Sequence, residues 1–462
     1  MAETDDIKNT SPSVLDQQFD LEKSPKAESD RSGETARRLE ESGDEVVGDV
    51  GDVAKDEVVD AGPPDGGTAA WLVVLGAWCC SFSSPGWINS VGSFQQYYEV
   101  GPLKEYSSST IAWIPSLQLF FLFALGPVAG VMFDKYGPRP LIIGGTILHV
   151  FGLMMASLAK TYYQFILSQG VCSAIGVAFL YTPALACVST WFSKKRGAVM
   201  GIMVTGSSVG GIVFPIMISR MIVSSGYPWT MRTAAFIILG LQLIAIFTIR
   251  SRTKPAPKKM PADRAAAPFK ELPFVTLLVG IFVLTYGIFI PIVYLAVQGY
   301  QQAHMSEEMS QYLVAIFNGA SLFGRLAAGY SADALGRWNV FVMACALSGV
   351  SIFAVWIPAT TSSIAIGFAI LFGFMSGAFI GLSGALAASV APVAEIGYRL
   401  GLVLLAISVP ALTVAPIGGA ILQSANNPWL SVKIFGGVMC LVGSAIVFAA
   451  RMGYTKKFFK VF

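Results

Sequence analysis

The sequence predicts an all-α membrane protein whose twelve transmembrane helices form two pseudo-symmetric halves of six. Three observations carry that expectation. Only 13% of the 462 residues are charged and 54% are hydrophobic, whereas a soluble chain carries about a quarter charged. The apolar residues gather into twelve runs, each long enough to cross roughly 30 Å of hydrocarbon as a helix. One turn-rich connector also occurs twice between such runs. It reads Gly130-Val-Met-Phe-Asp134-Lys-Tyr-Gly137-Pro-Arg139-Pro140 and again Gly329-Tyr-Ser-Ala-Asp333-Ala-Leu-Gly336-Arg337-Trp-Asn339. A connector that returns at the matching place is the mark of internal duplication.

Charge divides the chain. Residues 1–62 hold 18 Asp/Glu against 7 Lys/Arg, a net of −11, and the remainder holds 10 against 24, a net of +14. The first segment has Phe19 as its single aromatic and too little apolar surface to offset chain entropy, so it is expected to be a disordered, solvated tail. It has no apolar core segment of the kind a signal peptide needs. Its clustered Ser and Thr residues offer phosphorylation as the alternative to a passive role.

From Pro63 onward the expected spans are 69–97, 110–133, 140–159, 162–191, 197–223, 230–250, 273–300, 310–331, 339–358, 364–391, 396–422 and 430–451. With the N-terminus inside, the inner connections carry Lys135, Arg139, Lys194, Lys195, Arg196, the run from Arg250 to Lys270, Arg337, Arg399 and the closing Lys456, Lys457 and Lys460. The outer connections carry few bases, so the positive-inside rule puts both termini in the cytosol. The plasma membrane is the expected location. The expected organisation is an acidic tail (1–62), a six-helix half (63–250), a basic linker (251–272), a second half (273–451) and a short basic tail (452–462).

Enzyme chemistry finds no support. The six cysteines (Cys79, Cys80, Cys172, Cys187, Cys345, Cys440) lie inside apolar runs without metal or redox spacing, and there are two histidines, His149 and His304. No phosphate-binding loop of the G-x-x-x-x-G-K-[ST] type occurs, which argues against an ATP-driven pump. No cofactor, metal or nucleic-acid partner is expected.

The repeated connector resembles the loop 2–3 signature of the major facilitator superfamily and its partner in loop 8–9, which implies the major facilitator fold. Asp134 and Asp333 stand at helix ends, where each can pair with a base or with the positive end of a neighbouring helix. Such pairs form in one transport state and break in the other. Asp134, Arg139, Asp333 and Arg337 are therefore the expected gating residues. Pro64-Asp65-Gly66-Gly67-x-x-x-Trp71-x-Val73-Val74 before helix 1 and Trp191-Phe192-x-Lys194-Lys195-Arg196 before helix 5 resemble the two signatures of the monocarboxylate-porter family, fungal type. The residues themselves read as a surface clamp on lipid phosphates (Lys194–Arg196) followed by a glycine face for helix packing (Gly197, Gly201, Gly206, Gly210, Gly211).

A charge inside the membrane is the strongest site signal. Arg325 lies deep in helix 8 with no acid in helical reach, and a permanently charged fork suits a carboxylate. The resemblance implies the same role, since porters use a helix-8 arginine to hold substrate. It also exposes two departures: Asn89 stands where proton-coupled porters carry a lysine, and Ser321 where they carry an aspartate. Asn89, Asn318 and Tyr286 are the further expected substrate contacts. Tyr181 and Tyr294 flank the same cavity, while His149 on peripheral helix 3 is read as packed and hydrogen-bonded. Together these imply a secondary-active or facilitative carrier of organic acids, monocarboxylate-like or related, working by alternating access. The alternative is an efflux carrier for a secondary metabolite; a non-transporting membrane sensor is the reading from another class. The expected partners are an organic small molecule, protons as candidate co-substrate, and lipid, with the monomer as the working unit.

Overall fold

A computed structural model of the chain describes residues 64–90, 94, 97–99, 101–252, 262–424 and 427–456. The acidic tail, residues 253–261 of the linker and residues 457–462 lie outside the described residues.

The described chain is helical throughout its apolar runs. α1 is Thr68–Ile88, interrupted at Ser84 (φ −108°, ψ −88°), where Pro85 restarts the helix. α2 is the pair Trp113–Ala124 and Gly126–Tyr136, bent by 41°. Pro127 in the first turn of the second piece explains the bend, because it brings no N–H to the preceding turn. α3 is Pro138–Ala156 and α4 is Tyr162–Trp191, widened to a π-helix over Ile166–Ser173. The helical run Arg196–Thr248 is broken at Gly226, whose φ of 77° and ψ of 161° only glycine adopts readily, with Pro228 just beyond. It therefore supplies two spans, α5 (196–225) and α6 (227–248). α7 is Leu272–Gln301, α8 Glu307–Leu335, α9 Arg337–Trp356, α10 Ser362–Ser389, α11 Ile396–Ser424 and α12 Pro428–Thr455. These match the twelve expected spans in number and order, in two sets of six, but the first ends at Ile88, nine residues short of the expected 97. A short helix, Ala262–Lys270, occupies part of the expected linker.

α3, α6, α9 and α12 stand at the periphery. Ile143, Ile147, Phe151 and Met155 form an exposed row on α3, and Phe236, Leu243 and Phe247 do so on α6. Large apolar side chains left exposed at helical spacing fit a lipid solvent, not water. The two sets of six meet along α5 against α8 and α2 against α11. Both contacts depend on missing side chains. A Cβ at Gly201 of α5 would lie 2.5 Å from the Arg325 carbonyl oxygen, and one at Gly130 of α2 would collide with the carbonyl of Gly397 on α11.

Candidate functional site

Two constellations lie on these crossings. The first is in the interior, on the face of α5 that carries Val204, Ser207 and Gly211. Arg325 reaches it from α8 with its side chain buried; its Nη1 donates to the Val204 carbonyl and to Ser207 Oγ, each at 2.5 Å. Its Nε is buried without a hydrogen-bond partner among the described residues, as is the hydroxyl of Ser321 one turn earlier on α8. No carboxylate pairs with Arg325 among the described residues. Asn89, at the end of α1, donates from Nδ2 to the Ser207 carbonyl at 3.3 Å. Asn318 of α8 donates to the Val314 carbonyl at 3.0 Å, which leaves its oxygen facing Gly211. A Cβ at Gly211 would sit 2.7 Å from Asn89 Nδ2 and 3.0 Å from Asn318 Oδ1. The structure thus brings Arg325, Asn89 and Asn318 together on two turns of α5.

Tyr286 is not part of that group. Its hydroxyl pairs with Thr413 Oγ1 of α11 at 2.7 Å, and its ring packs on Phe282 and Phe435. Tyr294 likewise bonds the Ala415 carbonyl of α11 at 2.7 Å. His149 is buried between α1, α3 and α4. Its Nε2 faces the Ser83 carbonyl at 3.0 Å and its Nδ1 faces Ser173 Oγ at 2.9 Å. A carbonyl only accepts, so Nε2 carries the proton and Nδ1 accepts from the serine in the neutral ring. This is the packed, hydrogen-bonded histidine expected.

The second constellation closes one end of the bundle, the end that carries Lys135, Lys194, Lys195 and Arg337 and is called here the basic end. Asp134 of α2 accepts the backbone N–H groups of Gly397 (3.2 Å) and Tyr398 (3.0 Å), the first turn of α11. Asp333 of α8 accepts those of Gly197 and Ala198, both at 2.8 Å, in the first turn of α5. The two latches are the same device repeated: an acid from one half on the unsatisfied amides and positive dipole end of a helix in the other. Both aspartates form the helix-end pairing, and Asp333 forms the pairing with a base as well. Arg337 adds to the second latch, donating to the Ser193 carbonyl and lying 3.4 Å from Asp333 Oδ1. Arg139 does not join the first. It is exposed, with no hydrogen bond or ion pair among the described residues.

Arg196 corrects the lipid-clamp expectation. Its guanidinium turns inward and donates to the carbonyls of Phe192 (3.0 Å), Ser189 (3.1 Å) and, across the halves, Ala388 of α10 (2.9 Å). Lys194 and Lys195 are the exposed members of that triplet. Ser207 and Val204 were missed as site residues, although Ser207 lies on the glycine face of α5 and that position was the available signal.

The family model described as Major Facilitator Superfamily matches residues 67–306 and 274–458. The chain belongs to the major facilitator superfamily. It is a multi-pass membrane transporter. Among its relatives in the superfamily, it is 66% identical over 453 residues to the fujikurins efflux protein of Gibberella fujikuroi, covering 98% of this chain and 97% of that one. It is 54% identical over 391 residues to the MFS transporter asaE of Aspergillus flavus, covering 84% and 88%. It is 40% identical over 392 residues to the aspyridones efflux protein apdF of Emericella nidulans, covering 84% and 79%. Solved structures share the fold at low identity. The E. coli fucose:proton symporter aligns with a TM-score of 0.66 at 14% identity, over 81% of this chain and 98% of that one. The human organic anion transporter MFSD10 does so at 0.66 and 13%, over 82% and 98%.

Proposed function

We propose that this major facilitator protein is an efflux carrier for an organic secondary metabolite, exporting it by alternating access between the halves 63–250 and 273–451. The observation that carries the reading is the near full-length 66% identity to a protein named for fujikurin efflux, joined by the relative named for aspyridone efflux. The α5 face with Arg325, Asn89 and Asn318 is the cargo-contacting surface, and the Asp134 and Asp333 latches are the gate. The basic end is the cytosolic end by the positive-inside rule, with both termini on that side of the plasma membrane. In this state the gate is shut there. Carriage outward then requires both latches to open, each giving up two charge-assisted hydrogen bonds of about 1.5–3 kcal/mol, offset in part by water reaching the freed groups.

The monocarboxylate-porter reading retains one support. Arg325 has no carboxylate partner among the described residues, which suits cargo bearing an acidic group. Against it, Asn89 and Ser321 stand where proton-coupled porters carry charged groups, and the named relatives are efflux proteins. Proteoliposomes loaded with fujikurin, aspyridone or lactate separate the two readings, with and without an imposed proton gradient. Release of a metabolite but not of lactate supports efflux of the larger cargo. Movement of lactate alone overturns it.

A further inference from the structure

Two acids that the transport cycle has not used stand one step behind the two latches. Asp65 lies just before α1 with a left-handed backbone, φ 51°. Its Oδ1 receives the backbone N–H groups of Ser193 (2.7 Å), Lys194 (2.8 Å) and Lys195 (3.3 Å). Its own N–H returns to the Trp191 carbonyl at 3.3 Å, and Trp71 meets Phe192 edge-on at 5.8 Å between centroids. The loop gripped in this way leads directly into Gly197 and Ala198, the amides that bind Asp333. The two segments that looked like separate signatures in the sequence are one contact.

The second half repeats the arrangement. Glu271 lies just before α7 and holds Arg399 through two bonds, Nη1 to Oε2 at 2.8 Å and Nη2 to Oε1 at 2.6 Å. Glu395 stands 3.5 Å from the same guanidinium. Arg399 follows Gly397 and Tyr398, the amides that bind Asp134, and the Tyr398 hydroxyl donates to the Ala265 carbonyl of the linker helix at 3.0 Å.

We infer that Asp65 and Glu271 are positioning residues of the gate: each fixes the start of the helix that the opposite half grips with an aspartate. Two adjacent amides bind one carboxylate only while both N–H groups point at it, and first turns of helices fray unless something outside them is held. Asp65 holds the loop entering α5, and Glu271 holds the first turn of α11. In sequence Asp65 follows the acidic segment and Glu271 follows the helix Ala262–Lys270. The inference rests on the latch reading of Asp134 and Asp333.

The test uses the full-length protein in lipid nanodiscs, with Cys172→Ser and spin labels on Tyr136→Cys and Leu335→Cys, exposed positions at the basic end of each half. Asp333→Asn and Asp134→Asn calibrate the open-gate distances. Asp65→Asn and Glu271→Gln are expected to raise the long-distance population at least about fivefold. Asp65→Asn should add little to Asp333→Asn, and Glu271→Gln little to Asp134→Asn, because members of one unit are not additive. Asp65→Glu should restore part of the short-distance population, and Asp65→Gly, which removes the carboxylate at a left-handed position glycine adopts, carries the first arm if Asp65→Asn does not insert. A lowered melting temperature with unchanged distances would overturn the inference and leave Asp65 and Glu271 as loop supports. Unchanged distances in Asp333→Asn and Asp134→Asn themselves would instead sink the latch reading.

Discussion

Replacing Gly201 by alanine puts one methyl group into the contact between α5 and α8. The added carbon would lie 2.5 Å from the Arg325 carbonyl oxygen and 3.3 Å from Gly329 Cα. Carbon–oxygen contacts settle near 3.3 Å or more, so the helices must part by roughly 0.8 Å along that line. The obstructing atom is main chain and cannot swing aside. Overpacking of this kind costs about 1–3 kcal/mol. Because α5 and α8 belong to different halves, the penalty falls on the latched state and is relieved when the basic end opens. An equilibrium between two states a few kcal/mol apart then shifts about 5- to 150-fold toward the open gate. The Tyr136 and Leu335 label pair reads this directly as growth of the longer distance. Gly240→Ala is the control: beyond its chain neighbours and its own helix backbone, no heavy atom among the described residues lies within 4 Å of the added carbon, so it should gain about 0.5–1 kcal/mol of helix stability and move nothing. An unchanged distance distribution in Gly201→Ala, or an equal shift in Gly240→Ala, would refute the argument.

Arg325→Ala should lower transport at least about tenfold while membrane yield holds, since the loss of one charged hydrogen-bonded contact is worth at least about 1.4 kcal/mol; wild-type transport by the variant would remove Arg325 from the site. His149→Ala removes two hydrogen bonds and leaves the Ser173 hydroxyl without this partner, a loss of about 2–4 kcal/mol seen as a lower melting temperature. The pH profile of transport should not move, and a displaced profile would make His149 a proton carrier. The double change Asn89→Lys with Ser321→Asp places an acid one turn from Arg325 and a base beside Ser207, so efflux should become dependent on the proton gradient. An unaltered gradient response would place any coupling elsewhere. Deleting residues 1–55 should leave transport by correctly localised protein intact, which uptake and efflux rates in proteoliposomes check.

The twelve spans were legible because hydrocarbon leaves the backbone few options other than an uninterrupted helix, and the sequence must write that helix out as a long apolar run. The break at Gly226 was legible for the same reason: the apolar run lapses there. The interruption of α1 at Ser84 was missed although Ser83-Ser84-Pro85-Gly86 writes a turn signal there, because the apolar residues on both sides of these four led the span to be read as one helix. Arg325 was legible because an isolated charge among apolar residues is conspicuous, and burying it costs about 2.5–3.5 kcal/mol even at the lower estimates. Its partners were not, because one of them is the Val204 carbonyl, and a main-chain group has no letter in the sequence. Arg196 shows the converse limit. Beside two lysines it reads as a surface base, and only the tertiary packing reveals that its fork ends on the carbonyls of Ser189, Phe192 and Ala388. Tyr286 carries the polar tip expected of a site residue, yet Thr413 on the neighbouring helix satisfies it.

Each latch joins a side chain to the main chain across the halves, which would make the proposed gate genetically one-sided. A salt bridge between two side chains can be broken from either end and repaired by exchanging the charges. Across the halves Asp134 and Asp333 have no such partners to exchange with among the described residues, because Gly397, Tyr398, Gly197 and Ala198 contribute main-chain amides, and the one base that pairs with Asp333, Arg337, belongs to its own half. Compensating substitutions at those four positions should therefore be almost absent from a suppressor screen. The same asymmetry would free the proposed cargo face on α5 and α8 to drift: selection could recast Ser207, Asn89 or Asn318 for a new molecule while the two carboxylates kept the proposed gate unaltered.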